Sequence, residues 1–434
     1  MPRRACGAFA VLVLISLSGA ALAGDAARHG LHIEKWPNGK RKLVCWYKEG
    51  VLHGSHKEFN EQGRLETECT YRDGKIEGVY KKYYPSGRPR LAAQYRAGKK
   101  HGRLVELDER GRIVRDQEFI DGLLKYPRSQ LEISQALKKI YSAAPGGGGG
   151  GGGGRGGTLY EKPASHEGKM KAGRLAKAKL NEALAHLKAY RYLAGVPYED
   201  VALNGRYNDE AQHATVLLAV LGRLNHTPSK PAGMEEEFFK KAYAGTSHSN
   251  LSMGRSQLTR ALDSWMNDSD PSNIDRVGHR RWCINPTMKE TGFGLYGKFA
   301  AVWALDRARR PAPKFETVPW PCAGYMPAKY FGPRHAWSVS LKPAKYLRPS
   351  KAEVKAKIFE LDENFRDTSG PLELDYFNVN TQPFGVRYCV IFRPKSVKLS
   401  SGSRYRVEIE GIKEKAGRKP AKVGWVTEFF RLQK

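Results

Sequence analysis

The octapeptide Tyr71-Arg-Asp-Gly-Lys-Ile-Glu-Gly78 sets the architecture of the first third of this 434-residue chain, because its glycines recur. Glycines at 39, 63, 87 and 111 stand 24 residues apart, and sets at 50, 74, 98, 122 and at 54, 78, 102 keep the same step. So do the columns Tyr47, Tyr71, Tyr95, Phe119 and Phe59, Tyr83, Leu107. A fixed period of this length marks a repeat architecture. Within Leu65, Thr67, Cys69 and Tyr71 the apolar positions alternate, the period of a half-buried strand. Each unit therefore reads as a hairpin. Gly50 and Gly54, with their counterparts, are expected to bracket the turn inside a unit, and Asn38-Gly39, Gln62-Gly63, Ser86-Gly87 and Arg110-Gly111 to turn the chain between units. Cys45 and Cys69 hold equivalent places in successive units. With one strand between them they would stand ~9–10 Å apart, too far for a disulfide, so both are expected as buried thiols.

These units, with Tyr84-Pro-Ser-Gly87 beside the octapeptide, resemble the MORN (membrane occupation and recognition nexus) repeats of bacterial proteins over residues 30–125. The resemblance implies an elongated antiparallel meander that serves as a spacer or docking surface. Lipid binding is attached to the family's name, but a solenoid needs such an aromatic column simply to build its core.

Upstream, Arg3 and Arg4 precede an apolar stretch from Ala8 to Leu17, and Ala21-Leu22-Ala23 offers small residues where a signal peptidase cuts. Residues 1–23 read as a cleaved secretory signal, which places the mature protein outside the cell or in the periplasm. A retained anchor would need about 20 apolar residues. No Cys stands at the cleavage point, which speaks against a bacterial lipoprotein, and no later stretch is long enough to span a bilayer. The chain holds 74 Lys and Arg against 44 Asp and Glu, a net charge of +30; without residues 1–23 the count is 72 against 44, or +28. Anionic partners are expected: an envelope polymer, a lipid surface or an acidic protein. No nucleic-acid reader module is recognisable, so nucleic acid is not the expected partner. The mature chain has five cysteines, too few to staple a chain this long, so its folds must stand on hydrophobic cores.

Downstream, residues 126–165 form a linker with one short helix over 128–141, through Leu131, Ile133, Leu137 and Ile140, and nine consecutive glycines at 146–154. No strand feeds those glycines and no Gly-Lys-Ser/Thr follows, so a phosphate loop is excluded. From Leu175 the spacing turns helical: Leu180, Leu184 and Leu187; then Ala211, Ala214, Leu218 and Leu221 up to Gly222; then Ser256 to Met266 with Leu258, Leu262 and Trp265 inward. Strand-like runs follow at 291–296 and 300–305. Helices on a small sheet make residues 166–310 an α+β domain.

The run Leu187–Pro197, then Gly222-Arg-Leu-Asn-His226, Ser249-Asn-Leu251, Ala261-Leu-Asp-Ser-Trp265-Met266, Val277-Gly-His-Arg-Arg-Trp282, Gly292-Phe-Gly294 and Val302-Trp303 stand in the order and spacing of the CAP superfamily of cysteine-rich secretory, antigen 5 and pathogenesis-related proteins. The resemblance covers about residues 175–306 and is to the bacterial branch. It implies an α-β-α sandwich, secretion, and a cleft lined by two histidines and two acids. Position by position, the histidines fall on His226 and His279 and one acid on Asp268; the other acid, a glutamate before Asn-Leu, is replaced here by Ser249. His226, His279 and Asp268 would supply three zinc ligands with an open fourth position, as a metal-dependent secreted hydrolase requires. A nucleophilic triad of Ser249 with a histidine and Asp268 lacks the Gly-x-Ser-x-Gly elbow. His213 and His248 are spare candidates. Cys283 is a possible thiol nucleophile or a disulfide partner of Cys322, which stands in Trp320-Pro-Cys-Ala-Gly324.

Proline is dense over 311–336, as in a connector. Beyond it, alternating runs at 337–341, 354–358, 372–374, 386–392, 405–409 and 427–430 indicate an all-β sandwich over 337–434 that resembles bacterial immunoglobulin-like modules, with Cys389 as a small core residue. The whole reads as a modular secreted protein whose main function is non-catalytic binding of anionic envelope components through the CAP cleft and the repeat surface, with the metal hydrolase as the alternative.

Overall fold

The computed structural model describes residues 29–124, 126–144, 158–363 and 365–432. Residues 1–23, expected to be a signal sequence, and the run of nine glycines lie outside them. Two compact units divide the chain near residue 116.

In the first unit, strands Gly30–Lys35, Arg41–Lys48, Val51–Phe59, Leu65–Arg72, Lys75–Tyr83, Pro89–Arg96 and Lys99–Leu107 pair consecutively and antiparallel. Strand Ile113–Ile120 lies across the division and pairs onward with Leu123–Leu124. Inside a unit the turn is two residues long. Glu49 and Gly50 both take positive φ, 51° and 79°, the geometry whose twist matches the flanking strands. Gly54 differs from the sequence expectation: it stands within a strand, opposite Tyr71, beside a register shift at Cys45/Tyr47. Cys45 and Cys69 are both buried and both face His56 from opposite sides, so one strand separates them as expected.

The second unit opens with α1 (Gln130–Ser142), whose start is fixed by a reciprocal cap between Ser129 and Glu132. Ile133, Leu137 and Ile140 of α1 join the main hydrophobic core, while Leu131 is exposed. Part of the expected linker is thus an integral element of the fold. Five further helices follow: α2 (Lys177–Leu193), α3 (Gly205–Leu221), α4 (Glu236–His248), α5 (Leu258–Asn267) and α6 (Gly278–Cys283). A three-stranded antiparallel sheet, ordered Ser249–Met253, Phe299–Trp303, Phe293–Tyr296, lies between them. Its central strand shows both faces at once. Ala300 and Val302 belong to the core that holds α2 and α5, whereas Phe299 and Ala301 pack with Ala211 and Leu218 of α3. Three layers result, α-β-α.

Two four-stranded sheets complete the unit. One is ordered 317–320, 337–341, 388–394, 374–380, and the other 324–327, 423–430, 404–410, 355–361. The proline-dense stretch therefore contributes strands Thr317–Trp320 and Gly324–Pro327 rather than serving only as a connector. Two buried arginines fasten the first of these sheets to the α-β-α layers. Arg280 donates to Ala336 O at 2.7 Å and Ser338 Oγ at 3.0 Å; Arg281 reaches Asn380 Oδ1, Gln382 O, Val386 O and Arg387 O. Burial lowers the Arg280 pKa to about 10, so the guanidinium stays charged at neutral pH while its charge is dispersed over carbonyl oxygens.

Candidate functional site

Asp268 closes α5 in a left-handed conformation, φ 47°, with its N–H donating to Ser264 O at 3.0 Å. That twist buries its carboxylate and turns it toward the first turn of α6. His279 Nδ1 lies 2.7 Å from Asp268 Oδ1, and the Arg280 backbone N–H donates to Oδ2 at 3.3 Å. The acid is 1% exposed and the imidazole 22%, so one edge of the histidine faces outward above a buried anion. Asn250 steadies the same turn, donating to His279 O at 3.0 Å and to Cys283 Sγ at 3.4 Å. Trp265 Nε1 donates to Leu251 O and fixes α5 on the sheet.

The other two family positions do not join this pair. His226, in the segment after α3, has its Nδ1 2.9 Å from Thr246 O, near the end of α4. Ser249 begins the edge strand of the sheet, opposite Trp303, and its buried Oγ has no hydrogen-bond partner among the described residues. Among the described residues no three His, Cys, Asp or Glu side chains are placed to hold a metal ion. His226, His279 and Asp268 thus do not fit zinc: the Asp268 oxygens are committed to His279 and a backbone amide. Neither does a triad form, since no hydrogen bond links Ser249 to either histidine among the described residues.

The spare candidates have structural partners. His213 Nδ1 sits 2.7 Å from Asp209 O and its ring packs on Phe238; burial holds its pKa below the usual histidine range. His248 stacks on Trp303 at 4.7 Å, and Trp303 on Tyr207 at 4.4 Å. Cys283 and Cys322 are separate buried thiols, which corrects the expected bridge. Cys283 takes the Asn250 amide, while Cys322 lies 3.5 Å from both Tyr325 O and Met326 Sδ. Burial pushes the Cys283 thiol up to about 12, which disfavours the thiolate a nucleophile needs.

A second polar cluster escaped the sequence reading. Asp263 Oδ1 accepts from Tyr190 Oη at 2.7 Å and pairs with His186 Nε2 at 2.7 Å. His186 Nδ1 lies 2.6 Å from Tyr141 Oη of α1, and Tyr330 Oη is 3.0 Å from Tyr141 Oη. Burial opposes the charge on Asp263, but the bonds from His186 and Tyr190 outweigh it and hold the carboxyl below its usual range.

Residues 184–301, which hold the α-β-α layers and the His279–Asp268 pair, match the model of the cysteine-rich secretory protein family, CAP. The chain carries a CAP domain there, with the repeats and C-terminal sheets outside the match. A cysteine-rich secretory protein from Staphylococcus aureus subsp. aureus Mu50 is a similar solved structure at 11% identity, covering 63% of this chain and 81% of that one, with a TM-score of 0.21. No curated protein matches the chain.

Proposed function

We propose that the protein is a non-catalytic binding protein of the cell envelope, secreted or periplasmic after cleavage near Ala23. Its CAP cleft and its MORN-like repeat surface would take anionic polymers, lipids or proteins, with the immunoglobulin-like sheets as scaffold. The observation that carries the reading is the cleft's donor set: His279 and Asp268 are satisfied by each other, His226 by Thr246, and Ser249 stands where the family has its glutamate. Such a cleft can present an imidazole edge to a ligand, and among the described residues no three His, Cys, Asp or Glu side chains stand together to hold one ion. The net charge of +28 on the mature chain favours anionic ligands.

Zinc calorimetry on the mature protein at pH 7.5 tests this. The expected result is no saturable heat, the same for His226→Ala and His279→Ala. A stoichiometric site lost in both variants would overturn the reading and restore the hydrolase.

A further inference from the structure

Between α2, α5 and the segment 328–335 lies a cavity of about 500 Å³, within the range of small-ligand sites. It is lined by three cations, Arg255, Arg260 and Lys329, against one anion, Asp263. Only Arg260 approaches that anion, at 3.8 Å. Asp263 is already occupied by Tyr190 and His186, and no carboxylate pairs with Arg255 or Lys329 among the described residues. Tyr330 and Phe331 give the cavity an apolar wall. Ser264 and Asn267 also line it and make no side-chain hydrogen bond among the described residues, and the Asn267 amide oxygen is buried without a partner. An excess of two positive charges, unpaired donors and acceptors, and an aromatic wall are the complement of a hydroxylated ring that carries an anionic group.

We propose that this cavity binds an acidic sugar unit, a hydroxylated ring bearing one carboxylate or phosphate. The proposal rests on the envelope-binding reading and gives it a subsite away from the His279–Asp268 pair. Arg255 and Lys329 supply the charge, and Ser264 and Asn267 meet the hydroxyls.

The test is calorimetry on the mature protein at low salt with glucuronate, glucose 6-phosphate, glucose and acetate, alongside binding to an acidic polysaccharide. One or both sugar acids should bind about tenfold or more tighter than glucose and than acetate, their ranking identifying the anion. The double variant Arg255→Gln/Lys329→Gln should lose that preference, while Lys240→Gln, on α4 beside Glu237 and outside the cavity lining, should keep it. Equal binding of glucose would overturn the charge requirement, equal binding of acetate the sugar requirement, and no binding the site itself. Polysaccharide binding that survives while the double variant changes nothing overturns the site and leaves the envelope reading standing. Sugar-acid binding without polysaccharide binding does the reverse.

Discussion

Arg280 and His335 show how single residues in this chain trade charge for placement. His335 packs edge-on to Phe331 at 4.9 Å, and burial, with the Arg280 guanidinium nearby, lowers its pKa from 6.5 to about 3. The folded state therefore keeps this ring neutral at pH values where the unfolded chain protonates it. Since the unfolded state binds the extra proton between those two values, stability must fall as pH drops from about 6.5 toward 3. His335→Gln removes that one titration. Urea unfolding from pH 6 to 4 should show the wild type losing on the order of 1 kcal/mol more per pH unit than the variant; equal slopes would contradict a buried neutral His335. The reading of candidate residues from sequence succeeds and fails at this same scale. Asp268 and His279 are 11 positions apart within motifs the family spacing makes recognisable, and they meet. His186 and Asp263 are 77 apart and carry no shared local pattern, so only the packing of α2 on α5 reveals them.

At the scale of elements, the legible features are those whose cause is local. The hairpin register follows from turn chemistry such as Glu49-Gly50, and α3 ends where Gly222 takes a left-handed conformation, φ 66°. Helix α4 was not legible, since beyond Phe238 its buried residues Ala242, Gly245 and Thr246 are small or polar and its purpose lies in what it touches. A Cβ on Gly245 would stand 2.0 Å from Glu210 O, so the glycine permits α4 to lie close on α3. Gly292 and Gly294 act alike between α3 and the sheet: a Cβ on Gly294 would be 2.2 Å from Ala211 O. Both partners there are backbone and cannot yield by rotating. Gly294→Ala should therefore cost roughly 2 kcal/mol in denaturant unfolding, whereas Gly205→Ala, which meets nothing within 4 Å, should not destabilise. A neutral Gly294→Ala would show that α3 and the sheet are not in close contact.

The boundaries expected from composition give way in the whole molecule wherever long-range contacts decide. Residues of α1, the α-β-α layers, the proline-dense stretch and the C-terminal strands share a single core, in which Trp320 and Trp337 are fully buried. Arg280 and Arg281, whose neighbour His279 faces the cleft, carry their guanidinium groups to the C-terminal sheet that holds strands 337–341 and 374–380. No pattern in the sequence could show that a motif read for its histidine also holds two folds together. On this scaffold the positive charge is a property of the entire chain, with no dense run, and the envelope-binding claim rests on it. Its most direct test is the affinity of the mature protein for an acidic polysaccharide, measured from 0.05 to 0.3 M salt. Because exposed charges are screened within about 8 Å at 0.15 M, affinity should fall by about tenfold or more across that range. Binding that stays constant with salt, or no binding at the lowest salt, would contradict the account.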